Sequence, residues 1–330
     1  MTVTSVRDVQ DWLLDSDPAL RWQVLRDLND APPGAVAAER ARVATEGWGA
    51  RLLALRGKDG QWAGGACFPA DFRGDFSQGQ PWTATFPTLT LLRELGVDPN
   101  APQVRETIAL VAENCRWEHA GQRFFDGEVE PCINGRTVLI GAYFGVEVEG
   151  IVARLIDEQL SDGGWNCEVE NGSVRSSFAT TLCVLEGLLE HERTTGGSAG
   201  SAQEAEAVAA RRRGEEYLLE RHLFRRLSTG EVVEEDWLRF SFPTWWHYDV
   251  LRALDYFRDY FRTTGQAPDP RLAEAVALVR SKQQPDGTWL LENTHPGAVH
   301  FSMEDGDGQP SRWNTLRALR VLNWYDQSAS

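Results

Sequence analysis

The chain has almost no lysine: Lys58 and Lys282 stand alone, and arginine supplies every other basic residue. That bias is what a GC-rich bacterial genome imposes, and it says little about mechanism. Positive charge is scarce altogether, 33 Lys and Arg against 49 Asp and Glu, for a formal net charge of −16. Phosphate backbones and anionic membranes both need a basic face, so neither nucleic acid nor a membrane surface is an expected partner. The acidic balance reads as solubility. No apolar run approaches the roughly 18–20 residues of a membrane span. The first residues carry Arg7, Asp8 and Asp11 without an apolar stretch, so no signal peptide is expected and a cytoplasmic location is. Cysteine is sparse and odd in number (Cys67, Cys115, Cys132, Cys167 and Cys183), with no C-x-x-C, which in a reducing compartment indicates free thiols or metal ligands. Also missing are G-x-G-x-x-G, G-x-x-x-x-G-K-S/T and H-E-x-x-H, so no nucleotide cofactor is expected.

What the chain does have is aromatic and apolar mass: 13 Trp and 14 Phe in 330 residues, 42% hydrophobic, enough for a sizeable core. The tryptophans fall in a repeat. Gln159 to Trp165 and Gln283 to Trp289 both read Q-x3-G-x-W, and Arg56 to Trp62 repeats the pattern with Arg in place of Gln. Looser copies surround Trp117 and Trp237, so successive anchors lie 55, 48, 72 and 52 residues apart, one long helical hairpin each. Apolar residues at 3–4 spacing predict outer helices over 35–56, 101–116, 147–160, 202–224 and 269–283. More uniformly apolar segments predict inner helices over 82–96, 133–145, 174–190, 243–262 and 311–325, with Pro81 and Pro243 at helix entries and Gly96 at an end. The fold class is all-α. Residues 1–30 form an N-terminal hairpin, a sixth unit or a cap of the same domain as 31–330. The glycine- and serine-rich stretch 196–201 reads as a connector.

The Q-x3-G-x-W copies resemble the repeat of squalene–hopene cyclases and protein prenyltransferase β-subunits, over about residues 45 to 325. The resemblance implies an α/α toroid, a closed ring of five or six helical hairpins in which Gln and Trp tie neighbours together. The motif tryptophans are then structural. In such a ring the inner helices run parallel, and their N-termini gather at one mouth of a central pocket.

The loops feeding those N-termini are long and rich in chemistry-bearing residues. Two chemistries compete. Cys132, Cys167 and His247 fall at or near the starts of three successive inner helices and make a Cys2His set for catalytic zinc, with Asp249 as fourth ligand or supporting partner. This is similar to the zinc-bearing toroids: prenyltransferases use Asp, Cys and His, and lanthionine cyclases Cys, Cys and His. The chain departs from both, having neither a Cys-His pair nor an Asp-x-Cys. Glu168, beside Cys167, is a further candidate catalytic carboxylate. The rival chemistry is acid-initiated cyclization, with Asp236 or Asp249 as acid and Trp82, Phe86, Trp246, Tyr248 and Trp313 lining an aromatic pocket. No D-x-D-D occurs, and full triterpene cyclases resemble two such barrels where this chain has room for one. Arg136, Arg175 and Arg312 sit at inner-helix starts and suit a diphosphate or carboxylate, or else salt bridges to the many acids.

Three functions follow as expectations. The first is a transferase or cyclase acting on a largely apolar, isoprenoid-like or thiol-bearing small molecule with zinc. The second is a metal-free cyclase, and the third a non-catalytic toroid binding a hydrophobic ligand or a protein. Prenyltransferases pair with a second subunit; nothing in this sequence reports one.

Overall fold

Asp17 shows how local chemistry sets this chain's helices. Its carboxylate caps α2 (Pro18–Asp27) by accepting from Ala19 N at 2.9 Å, and Pro18 supplies the pre-set first helical position. The same carboxylate accepts from Trp48 N at 2.7 Å, at the start of α4 (Gly47–Ala54). Gly47 has φ 65°, and a Cβ there would strike Asp17, so the close approach requires glycine. Before them come α1 (Val6–Leu14) and, between α2 and α4, α3 (Pro33–Arg42). The single helix expected over 35–56 is therefore two, separated by the turn that brings Gly47 onto Asp17.

The computed structural model describes residues 6–195 and 202–328; the expected connector at 196–201 lies outside the described residues. Among the described residues the chain is mostly helical, with one two-residue antiparallel pairing, β1 (Trp289–Leu290) with β2 (Pro310–Ser311). The less buried helices α6 (Pro102–Asn114), α8 (Glu149–Asp157), α10 (Ala202–Leu219) and α12 (Ala273–Ser281) alternate with more deeply buried ones. The buried set is α5 (Thr85–Leu95), α7 (Pro131–Phe144), α9 (Phe178–Thr194), α11 (Val250–Thr264) and α13 (Arg312–Ser328). Two expected starts move. The helix placed at 174 begins at Phe178, where Ser177 caps it, and the helix placed at 243 begins at Val250, capped by Asp249. Pro243 lies in the loop ahead.

The repeat has one geometry in its three best copies. Trp62, Trp165 and Trp289 are fully buried. Each indole Nε1 donates to a carbonyl on the preceding helix: Leu52 O at 2.7 Å, Leu155 O at 2.6 Å and Val279 O at 2.8 Å. Each tryptophan's backbone N–H donates to a threonine at the start of the next buried helix, Thr85, Thr181 or Thr315. The motif glycines, Gly60, Gly163 and Gly287, have φ of 88°, 96° and 85°. Added Cβ atoms would meet Leu110 of α6, Arg213 of α10 and Val9 of α1, respectively. Gln159 adds a clamp, donating to Gly163 O at 2.6 Å and Ala210 O at 2.8 Å. The looser copy at Trp117 departs: its Nε1 donates to Phe124 O within its own loop.

The buried helices contact one another in chain order, α5 with α7, α7 with α9, α9 with α11 and α11 with α13, and α13 also contacts α2. Trp22 and Gln23 of α2 donate to Leu95 O at 2.9 Å and Glu94 O at 3.0 Å, at the end of α5. The tightest crossing is α7 on α9. A Cβ on Gly135 would lie 2.6 Å from Val184 Cα, and one on Gly187 would strike Gly135 O.

Candidate functional site

The long loops that precede α5, α7, α9 and α11 meet at the N-terminal ends of those helices. They fold there through carboxylate and amide side chains that satisfy loop backbone. Glu118 accepts from Cys67 N at 2.9 Å and Phe68 N at 3.1 Å, fastening one loop to the next. Glu128 accepts from Val129 N and Glu130 N through one oxygen. Asn166 donates to Ser173 Oγ and Arg175 O, closing the loop after Trp165. Trp245 takes the left-handed backbone, φ 49°, which bulky residues seldom adopt. Its ring stacks parallel on Trp82, centroids 4.9 Å apart.

Between these loops lies a cavity of about 640 Å³, within the range of small-molecule sites. Its walls are aromatic, with Phe68, Trp82, Phe86, Trp117, Trp245 and Trp246, and its polar groups include Cys132, Cys167, His119, Arg136 and four glutamates, 118, 128, 130 and 168. The two sulfurs are 2.8 Å apart, although their residues are 35 positions apart in sequence. Pro131 starts α7 and puts Cys132 in its first turn; Cys167 lies in the short 3-10 turn Cys167–Val169, ahead of α9. Glu130 Oε2 is 3.4 Å from Cys132 Sγ, and Thr180 Oγ1 is 3.4 Å from Cys167 Sγ. With both thiols protonated, Cys167 donates to Cys132 and Cys132 donates on to Glu130. The hydrogen bond between the sulfurs raises the Cys132 thiol well above its ordinary range, burial adding to it, and lowers Cys167. The thiolate therefore forms first on Cys167, with the Cys132 proton turned towards it.

Glu130, Cys132 and Cys167 place ligand atoms within 4.8 Å of one another, and among the described residues they are the group so arranged. His247 is not in it, which corrects the expected Cys2His set. The chain turns at Trp245 and lays the His247 ring on His295, centroids 3.7 Å apart, with Trp246 on its other side at 3.8 Å. Burial first, then His295 and Arg252, lowers His247 to about 3.

The expected acids also move. Asp236 is 79% exposed and pairs with Arg239, so no buried pocket surrounds it. Asp249 is buried but lies outside the cavity lining: it caps α11 by accepting from Arg252 N at 2.7 Å, and Ser241 Oγ donates to it at 3.3 Å. Burial raises its pKa against the opposing pull of Arg317. Glu168 does line the cavity, where Asn171 donates to it at 2.7 Å. Of the aromatic set, Trp82, Phe86 and Trp246 line it too. Tyr248 donates instead to Leu223 O at 2.5 Å, and Trp313 stacks on Phe242, centroids 4.3 Å apart, beside a second cavity.

The three arginines do not converge. Arg175 is an exposed loop residue whose carbonyl holds Asn166. Arg312 donates to Trp12 O and lies over the Trp12 ring. Arg136 does reach the cavity but is consumed beneath it: Glu186 accepts from it at 2.8 Å and Glu94 at 3.4 Å. Glu186 also accepts from Arg252 at 2.7 Å and 2.9 Å, so one carboxylate bridges α7 and α11. Burial opposes its charge, but Arg252 and Arg136 outweigh that and hold its pKa down. Below this layer the second cavity, about 430 Å³, is walled by ion pairs such as Arg93 with Glu190 and Arg320 with Asp255. Arginines there also face helix C-termini, whose partial charge is negative.

Sequence reasoning missed Glu118, Glu128 and Glu130. Only Glu130 carried a signal, standing beside Pro131-Cys132 at a helix start. Among the described residues no helix is long and apolar enough to cross a membrane. Comparison of the chain with protein-family models, with curated proteins and with solved structures returns no match.

Proposed function

We propose that this chain is an α/α toroid enzyme whose aromatic cavity holds a small molecule with an apolar body and presents its reactive group to Cys167, Cys132 and Glu130. Ring closure is supported at both layers. Among buried helices α13 touches α2, and in the outer layer Val9 of α1 meets the last motif glycine as Leu110 and Arg213 meet the earlier two. The N-terminal pair α1 and α2 is then the sixth hairpin rather than a cap. The observation that carries the activity is the thiol pair: two sulfurs and a carboxylate, Glu130 and Cys132 from the start of α7 and Cys167 from the loop ahead of α9, gathered on the wall of one ligand-sized cavity.

Two sulfurs and an oxygen are a donor set that zinc accepts, and Glu130, Cys132 and Cys167 would hold it. Zinc there supplies the lowered pKa of a bound thiol or water. The chain's own residues do the rest: the aromatic walls exclude water and orient the ligand, and Thr180 supports Cys167. The acid-initiated alternative loses its residues, since Asp236 is in solvent and Asp249 is a helix cap.

Metal content by mass spectrometry on untagged protein tests this reading. About one zinc per chain is expected, lost in Cys132→Ala and Cys167→Ala, weakened in Glu130→Gln and kept in His247→Ala. A wild type without zinc whose Cys167 also fails to react faster than Cys115 with iodoacetamide would sink it.

A further inference from the structure

The charge around the aromatic cavity is one-sided, and this rests on the same cavity as the proposed function without depending on its chemistry. Four glutamates line it, and among the described residues none of them makes an ion pair; their contacts are with backbone N–H groups, the Cys132 thiol and the Asn171 amide. Glu118, Glu130 and Glu168 stand at the exposed rim and Glu128 deeper, whereas Glu186, beneath the cavity, is matched with Arg136 and Arg252. Of the two basic side chains in the lining, Arg136 is spent on Glu186 and Glu94, which leaves His119 against four glutamates. Glu128 is the decisive group. It is 7% exposed, its Oε2 accepts both backbone N–H bonds, and its Oε1 has no hydrogen-bond partner among the described residues. That oxygen is not sealed from water; on the cavity wall and without an ion-pair partner, it is open to a ligand's donor.

The walls agree with that sign. Aromatic side chains make up much of the lining, and aromatic rings attract ammonium and guanidinium groups where a face is free. Apolar walls also focus the field of the carboxylates into the cavity. If Glu130 is engaged beside the cysteines, Glu118, Glu128 and Glu168 still remain. We propose that the cavity selects a cationic small molecule, an amine or guanidine carried on an apolar body, and excludes anions such as diphosphates and carboxylates. Its size, about 640 Å³, sets the ligand as a small molecule rather than a protein surface.

Three ligands sharing one apolar body test this by isothermal titration calorimetry: n-octylammonium, 1-octanol and octanoate. Octylammonium should bind at least about tenfold tighter than octanol, and octanoate more weakly than both. Glu128→Gln should weaken octylammonium about tenfold and leave octanol unchanged; Glu168→Gln, at an exposed site that cannot disturb the fold, should give a smaller loss of the same sign. Octanoate binding as tightly as octylammonium, no binding by any of the three, or octylammonium affinity indifferent to both substitutions overturns the proposal. Repeating the series in Cys132→Ala/Cys167→Ala separates the two readings. Charge selection that survives there stands even if the protein holds no zinc, and a zinc protein that prefers octanoate loses only this inference.

Discussion

Gly135 and Gly187 meet where α7 crosses α9, backbone against backbone with no side chain between them. This contact lets the helix bearing Cys132 lie close enough to α9 for the thiol to reach Cys167. A methyl group at either position would have to push apart main chain, which yields less readily than a side chain. Gly135→Ala and Gly187→Ala should each cost about 1–3 kcal/mol in urea denaturation, the cost of overpacking a filled core. Both should also slow the pairwise chemistry of the two thiols, read as disulfide formation with oxidised glutathione. Unchanged stability and unchanged oxidation would show that the crossing is looser than described.

The repeat tryptophans predict a graded response. Trp165→Phe keeps most of the buried ring but orphans the Leu155 carbonyl, which should cost about 1–3 kcal/mol. Trp165→Ala also opens a cavity and should cost about 3–5 kcal/mol. Trp246→Phe, at a ring 40% exposed, should leave the denaturation midpoint almost unmoved. Equal losses at Trp165 and Trp246 would remove the structural reading of the motif.

Among the described residues, Glu186 is the acid that Arg136 and Arg252 share. Glu186→Gln leaves the buried Arg252 guanidinium without a carboxylate and Arg136 with Glu94 alone, and should destabilise by about 3–5 kcal/mol. Pairing it with Arg252→Met should recover part of that loss, because the charge left stranded is removed along with its partner. A double variant no better than Glu186→Gln alone would contradict this account of the layer.

Acid should weaken the fold through the stacked imidazoles. Burial lowers both rings, His247 to about 3 with His295 repelling its charge, and His295 to about 4 with Arg252 doing the same. The unfolded chain takes up these protons near 6.5, and the folded chain resists them until about 3–4. Stability is therefore lost as pH falls from about 6.5 towards 3, with a slope approaching two protons. His247→Gln/His295→Gln should flatten urea midpoints measured between pH 7 and pH 4. An unaltered pH slope in that variant would assign the acid sensitivity to other groups.

The helices were readable in sequence because their signals are local and repeated. Leu272, Val276 and Val279 mark one face of α12, and the motif glycines announce turns that the structure places at φ near 90°. The approach of Cys132 to Cys167 was legible for a related reason, since each falls at or near the start of a buried helix. The rest of the site depends on how loops fold across one another. Glu118 holds the backbone of a loop about 50 residues away, which no periodicity announces. Trp245 turns left-handed and carries His247 out of reach of the sulfurs. Asp249 carried two legible signals, an acid near aromatics and a residue three before Arg252 at a helix start; the capping signal was the one that held.

The layer of Arg136, Glu186 and Arg252 has a consequence for traffic. Arg136 belongs to the floor of the aromatic cavity, and its acid partners belong to the wall of the polar one behind it. Among the described residues, Arg136, Glu94 and Glu186 stand between the two spaces as a shared partition, so a ligand of the proposed kind, entering beside Trp82 and Trp245, would meet an ion-paired floor.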